Sequence, residues 1–258
     1  IRWYGSSLKL IESLALAEGE LKSELCDLLA RNFRCLWSTA HFQCELERLF
    51  RRFAADGFWR EGWSACRQTM CFDRDHMTPE AVSRLSVLLD SLSPSSLSEQ
   101  VRALVLGDRS GGLDLEELDG EEDLVSAAER LEAIARELGA AVAANDAVFV
   151  ELLPDLLCGG NRVWAFGCGL AGASTDLRDT WARLIKALEQ IAPAQRSAQV
   201  LSGFLTELWE QDRNLAQDLL DSALEQPAVV VFLPALHSAA QLDERGIERL
   251  KRALSSGR

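Results

Sequence analysis

Apolar residues recur at spacings of three and four along most of the chain, the pattern of helices that bury one face. Leu21, Leu25, Leu28 and Leu29 make one such stripe. Phe42, Leu46, Leu49, Phe50 and Phe53 make another, with Glu45, Glu47, Arg48, Arg51 and Arg52 between them. Val82, Leu85, Leu88, Leu89 and Leu92 form a third, and Thr78-Pro79-Glu80 marks its start. There Thr caps, Pro takes the first helical position and an acid sits in the first turn. Ser96 and Glu99 have capping-box spacing, and Gly107 supplies a stop.

In the second half, helix starts are read near Asn161, Thr175, Ala194, Asp212, Ala228 and Asp243. Taken in pairs they repeat every 33 or 34 residues, roughly the period of stacked helix–turn–helix units. Trp164, Trp181, Phe204, Trp209 and Phe232 fall within these helices as large anchors. The pattern predicts an all-α chain, an α-solenoid of stacked antiparallel helix pairs of the TPR or HEAT kind, with little or no strand. Val229-Val230-Val231-Phe232-Leu233, between Pro227 and Pro234, has the composition of a buried strand. It lacks a partner strand and is read as a helix kinked at Pro234.

Composition adds boundaries. With 48% hydrophobic and 26% charged residues in 258, the chain has the make-up of a globular protein. No apolar run is long enough for a transmembrane helix, so no membrane partner is expected. A net charge of −13 disfavours nucleic acid. Much of the acidity sits in Asp108–Asp123, eight acids against one Arg, with Gly111, Gly112 and Gly120 among them. Such a block reads as a solvated linker. The expected organisation is an N-terminal helical half, 1–107, an acidic linker, 108–123, and a C-terminal helical-repeat half, 124–258. Seven cysteines, an odd number scattered through helical patterns, point to a reduced, cytoplasmic compartment. The apolar opening Ile1-Arg2-Trp3-Tyr4 reads as part of something longer.

Candidate chemistry is sparse. Gly167-Cys168-Gly169-Leu170-Ala171-Gly172 is formally GxGxxG, but a dinucleotide site needs it between a strand and a helix of a βαβ unit. The surrounding pattern supplies no such unit, so the glycines are read as close-packing positions in a helix, and no cofactor is expected. Cys66, Cys71 and His76 form a candidate metal cluster at wider spacing than known zinc pairs. The acidic stretch fails as a calcium loop, having Leu113 where Gly is needed and Asp119 in place of Glu. Neither a phosphate-binding P-loop nor a nucleophile elbow occurs, three histidines leave little for acid–base work, and neither His41 nor His237 has a nucleophile beside it. Two basic clusters remain. Arg48, Arg51 and Arg52 share a helical face, and Arg245, Arg249, Lys251 and Arg252 crowd the last helix, where a helix C-terminus favours cations.

The stretch Gly57-Phe58-Trp59-Arg60-Glu61-Gly62-Trp63 through Cys71-Phe72-Asp73, with the helices over Leu85–Leu106, resembles helical regions of large bacterial proteins. Those proteins carry an N-terminal effector or STAND-type NTPase module, and several act in antiphage defence. The resemblance implies a sensing or scaffolding arm, with catalysis elsewhere in the parent chain, and transfers no functional residue. The expected function is a non-enzymatic helical-repeat module that binds a protein partner or another domain of its parent. Trp59, Trp63, Arg48, Arg51 and Arg52 are its candidate anchors, since a few aromatic and Arg residues carry most interface energy. The alternative is an all-helical enzyme or metal-dependent regulator using Cys66, Cys71 and His76.

Overall fold

A computed structural model describes residues 20–107, 121–240 and 242–255, and every regular element among them is helical. The described residues divide into two compact units, 20–95 and 96–255.

The first unit has four helices: α1 (Glu20–Trp37), α2 (Ala40–Ala54), α3 (Arg60–Asp73) and α4 (Pro79–Leu92). A 3-10 turn, Arg74–His76, follows α3. Helices α1 and α4 each pack against both α2 and α3. The stripes converge on an aromatic core. Phe33 lies 4.4 Å from Phe50 and 5.2 Å from Trp37, centroid to centroid, and Phe50 lies 4.7 Å from Trp59. Burying one such side chain contributes about 1.5–3 kcal/mol. Thr78 caps α4 as its sequence pattern predicts, accepting a bond from the Ala81 amide at 3.3 Å.

The second unit opens with α5 (Leu97–Leu104), whose capping box is formed: the Glu99 amide donates to Ser96 Oγ and the Ser96 amide to Glu99 Oε2. Then follow α6 (Glu121–Ala143), α7 (Asp146–Leu157), α8 (Val163–Ala173), α9 (Leu177–Gln190), α10 (Gln199–Gln211) and α11 (Arg213–Ala223). Two short helices, α12 (Pro227–Val230) and α13 (Leu233–Ala239), precede α14 (Glu244–Ser255). Helix α8 packs against α6 and α10, and α10 against α13. On the other helices, α7 packs against α6 and α9, and α9 against α12. Arg183 of α9 reaches Asp146 of α7 at 2.6 Å, and Arg178 reaches Asp218 of α11 at 3.1 Å.

Three details differ from the sequence expectation. Helix α5 packs with α6 and α7 and places buried Val101 in their core, so the boundary between described units falls at Ser95/Ser96 rather than at residue 107. Most of the acidic segment lies outside the described residues, but Glu121–Asp123 open α6. The valine run is two helices rather than one kinked helix. Pro234, in the first turn of α13, clashes with a helical carbonyl four residues back, and α12 ends at that residue, Val230.

Candidate functional site

The glycine motif lies inside α8, and its spacing serves backbone contact. A Cβ on Gly169 would overlap the Arg136 carbonyl of α6, and one on Gly167 would meet the Val200 carbonyl and lie 3.0 Å from the Phe204 nitrogen of α10. The neighbours return the arrangement. A Cβ on Gly139 of α6 would lie 2.8 Å from the Leu170 nitrogen, and one on Gly203 of α10 3.1 Å from the Cys168 nitrogen. Four glycines thus bring three helices together at distances no other residue permits.

Trp164, at the start of α8, keeps 38% of its surface exposed, whereas Trp181, Phe204 and Trp209 are buried. The Arg136 guanidinium stacks 5.4 Å from the Trp164 ring and reaches Glu207 of α10 at 3.4 Å, strapping α8 from one side to the other. Burial pushes the Cys168 thiol up to about 11, against the opposing pull of Arg136, so it is a packing group and not a nucleophile.

Beside Trp164 opens a groove of about 570 Å³, walled by Phe232 and Ala235 and edged by Gln199, Ser202 and Ser238. Its floor is pinned. The Ser197 amide donates to the Leu157 carbonyl at 2.7 Å, and Arg196 donates to the Ile191 and Glu189 carbonyls at the end of α9. None of the lining residues is His, Cys, Asp or Glu, so the groove offers apolar contact and hydroxyl hydrogen bonds but no proton-transfer pair.

The residues expected to act as anchors fall elsewhere. Trp59 and Trp63 are 9% and 3% exposed and belong to the aromatic core of the first unit, so they pack there and do not present an anchor. Arg48, Arg51 and Arg52 are exposed on α2, with Arg48 paired to Glu45 at 2.6 Å. Cys66, Cys71 and His76 are not brought together. Cys66 is buried in the core, its thiol pushed well up by burial, while His76 is exposed on the 3-10 turn. Among the described residues no three His, Cys, Asp or Glu side chains converge to hold a metal ion. On α14, Arg249 is not a solvated cation at a helix end: it is buried and bound to Asp221 and Gln217 of α11.

Sequence reasoning placed Trp164 among the core anchors, and the segment explains why. Val163–Ala173 is apolar on every side, so no period distinguishes its outward face. The chain matches no protein-family model, no curated protein and no solved structure with which it was compared.

Proposed function

We propose that this chain is a non-enzymatic interaction or sensing module whose second unit is a short α-solenoid, and that it binds a protein partner or another domain of its parent chain. Helices α6, α8, α10 and α13 of the second unit are successive neighbours, as expected of stacked helix pairs. The observation that carries the reading is Trp164. It is a large aromatic left 38% exposed, held by the Arg136 cation and opening onto an apolar groove. Trp beside Arg at the mouth of a groove is the composition of an interface anchor. In this reading the chain is a cytoplasmic bacterial protein, and the resemblance to effector-linked defence proteins makes it the arm that senses rather than the part that reacts.

The test is site-specific photo-crosslinking in the producing cell. A crosslinking residue at position 164 captures a discrete partner, which one at Val87, exposed on α4 of the first unit, does not. Trp164→Ala then weakens the purified interaction by tenfold or more without altering the helical content, as about 1.4 kcal/mol at a hot spot implies. Equal crosslinking from both positions overturns the assignment of this surface.

A further inference from the structure

The groove beside Trp164 carries one charge, and it is positive. Arg196 is the single charged residue among those that line it, in a chain whose net charge is −13. It stands half-buried on the stretch between α9 and α10. Its Nε donates to the Ile191 carbonyl at 2.8 Å and its Nη2 to the Glu189 carbonyl at 3.1 Å. Those two bonds fix the guanidinium without neutralising it, because carbonyls carry no net charge. Other guanidiniums of the second unit are answered by acids: Arg102 by Glu151 and Asp155, Arg178 by Asp218, Arg183 by Asp146. Arg196 pairs with no carboxylate among the described residues.

Further donors in the same groove are left over by the fold. Gln199 accepts from the Gly160 amide at 3.0 Å through Oε1, which leaves both hydrogens of its Nε2. The Ser197 hydroxyl accepts from the Gln199 amide at 3.3 Å and keeps its own hydrogen. The Trp164 ring is stacked on Arg136 and 38% exposed, and its indole N–H makes no hydrogen bond within the fold. With Nη1 of Arg196, these donors share one groove with the apolar wall of Phe232 and Ala235, and no carboxylate there competes for them.

We propose that the partner enters this groove with an acidic segment, an Asp or Glu carboxylate on Arg196 and an apolar side chain against Trp164, Phe232 and Ala235. The proposal rests on the reading of the Trp164 surface as a protein-binding site and adds the chemistry of what binds there.

A carboxylate brings the acceptors and the single negative charge that the groove lacks, and charge-assisted bonds of this kind are the stronger ones. A phosphorylated segment fits less well, since phosphate carries nearly two charges and is ordinarily met by a cluster of guanidiniums. A basic segment is opposed, because its cation would face Arg196 across a desolvated contact. Over the rest of the acidic surface an acidic segment is repelled, so the sign at the groove supplies selectivity as well as affinity.

The experiment pans a random-peptide display library against the whole chain and keeps the clones that Trp164→Ala fails to retain. The expected clones share an Asp or Glu within a few positions of Leu, Ile or Phe. In the tightest of them, replacing the acid by its amide weakens binding at least tenfold. Arg196→Gln does the same, and the two changes together cost little more than either alone. Arg196→Lys gives up the same carbonyl bonds but keeps the charge, and it retains most of the affinity with the helical signal unchanged. That contrast separates the charge from the local structure the bonds support. The proposal is overturned by any of three results: Trp164-dependent clones that are neutral or basic, affinity indifferent to Arg196→Gln, or no Trp164-dependent clone at all. The crosslink from position 164 reports on the surface by itself. A discrete partner captured there, alongside any of these three results, leaves the surface reading standing and the acidic segment refuted.

Discussion

Gly169 and Gly172 stand three positions apart on α8 and respond to a methyl group in opposite ways. At Gly169 the added carbon meets the Arg136 carbonyl, which is backbone and cannot swing aside. We expect Gly169→Ala to cost about 1–3 kcal/mol in chemical denaturation, the usual range for overpacking. At Gly172 nothing comes nearer than 3.8 Å, and what comes near are the side chains of Glu207 and Gln211. There alanine gains about 0.5–1 kcal/mol through helix propensity. Equal effects from the two substitutions would refute the backbone-contact reading. The residue types on α8 were legible in the sequence, including their use in helix packing, but the partner was not. No local pattern announces that the backbone of residue 136 arrives at residue 169. The tryptophans make the same point in reverse. Trp59 and Trp63, beside a basic helix, have the composition of an anchor, yet the ring cluster with Phe50 and Phe53 takes Trp59 into the core.

At the scale of the element, α14 joins a charged network to the apolar contacts of Leu250 and Ala253. Asp221 of α11 accepts bonds from both Arg245 and Arg249, and Gln217 links Arg249 to Asp243 at the start of α14. Ile247 and Leu254 remain exposed. Burial would push the Asp221 carboxyl up, but the two guanidiniums outweigh it and hold it below the usual carboxylate range. His237 of α13 packs its ring toward Gly246. Burial, with the neighbouring Arg249 charge, lowers its basicity against the weaker opposing effect of Asp243. Both shifts have one sign: the unfolded chain takes up protons more readily than the folded one. The stability they supply is complete above the ordinary histidine value, about 6.5. It declines as pH falls through the lowered His237 value and then the Asp221 value. We expect hydrogen-exchange protection of the α14 amides to fall as pH drops from 7.5 to 5, and His237→Phe to remove that fall, the Asp221 contribution being lost only below the ordinary carboxylate value. Protection constant over this window would show that His237 is not linked to docking of the helix. The basic residues of α14 were visible in sequence, but a helix-end explanation suffices there. What changes it is Asp221, which only folding brings alongside. Caps, by contrast, are local and were readable: Ser96→Ala should cost about 1 kcal/mol in thermal unfolding.

For the molecule as a whole, the all-helical class followed from periodicity, whereas the unit boundary did not. Composition drew the eye to the acidic stretch, because charge density is visible in a sequence and packing partners are not. Val101 and Val105, both fully buried, join the core of the second unit, and Arg102 binds Asp155 and Glu151 of α7 at 3.0 and 2.8 Å. A fragment of residues 96–258 should therefore unfold at higher temperature than one of residues 108–258. The difference should amount to several kcal/mol, since each buried valine contributes about 1.5–3 kcal/mol. Equal melting of the two fragments would place α5 outside the cooperative unit.

The glycine contacts also set a mechanical property. Where side chains interdigitate, helices slide a little by changing rotamers, and a repeat array flexes at every joint. Between α6, α8 and α10 no rotamer exists to change at the points of contact. A slip of one residue, about 1.5 Å along the axis, would drive Phe166, Cys168 or Leu170 toward positions that admit only hydrogen. These three helices behave as a keyed block, stiff in shear, and bending within the second unit is displaced to joints without such keys, such as the break between α12 and α13 at Val231–Phe232. A load applied at Trp164 is thus transmitted through α8 without loss of register.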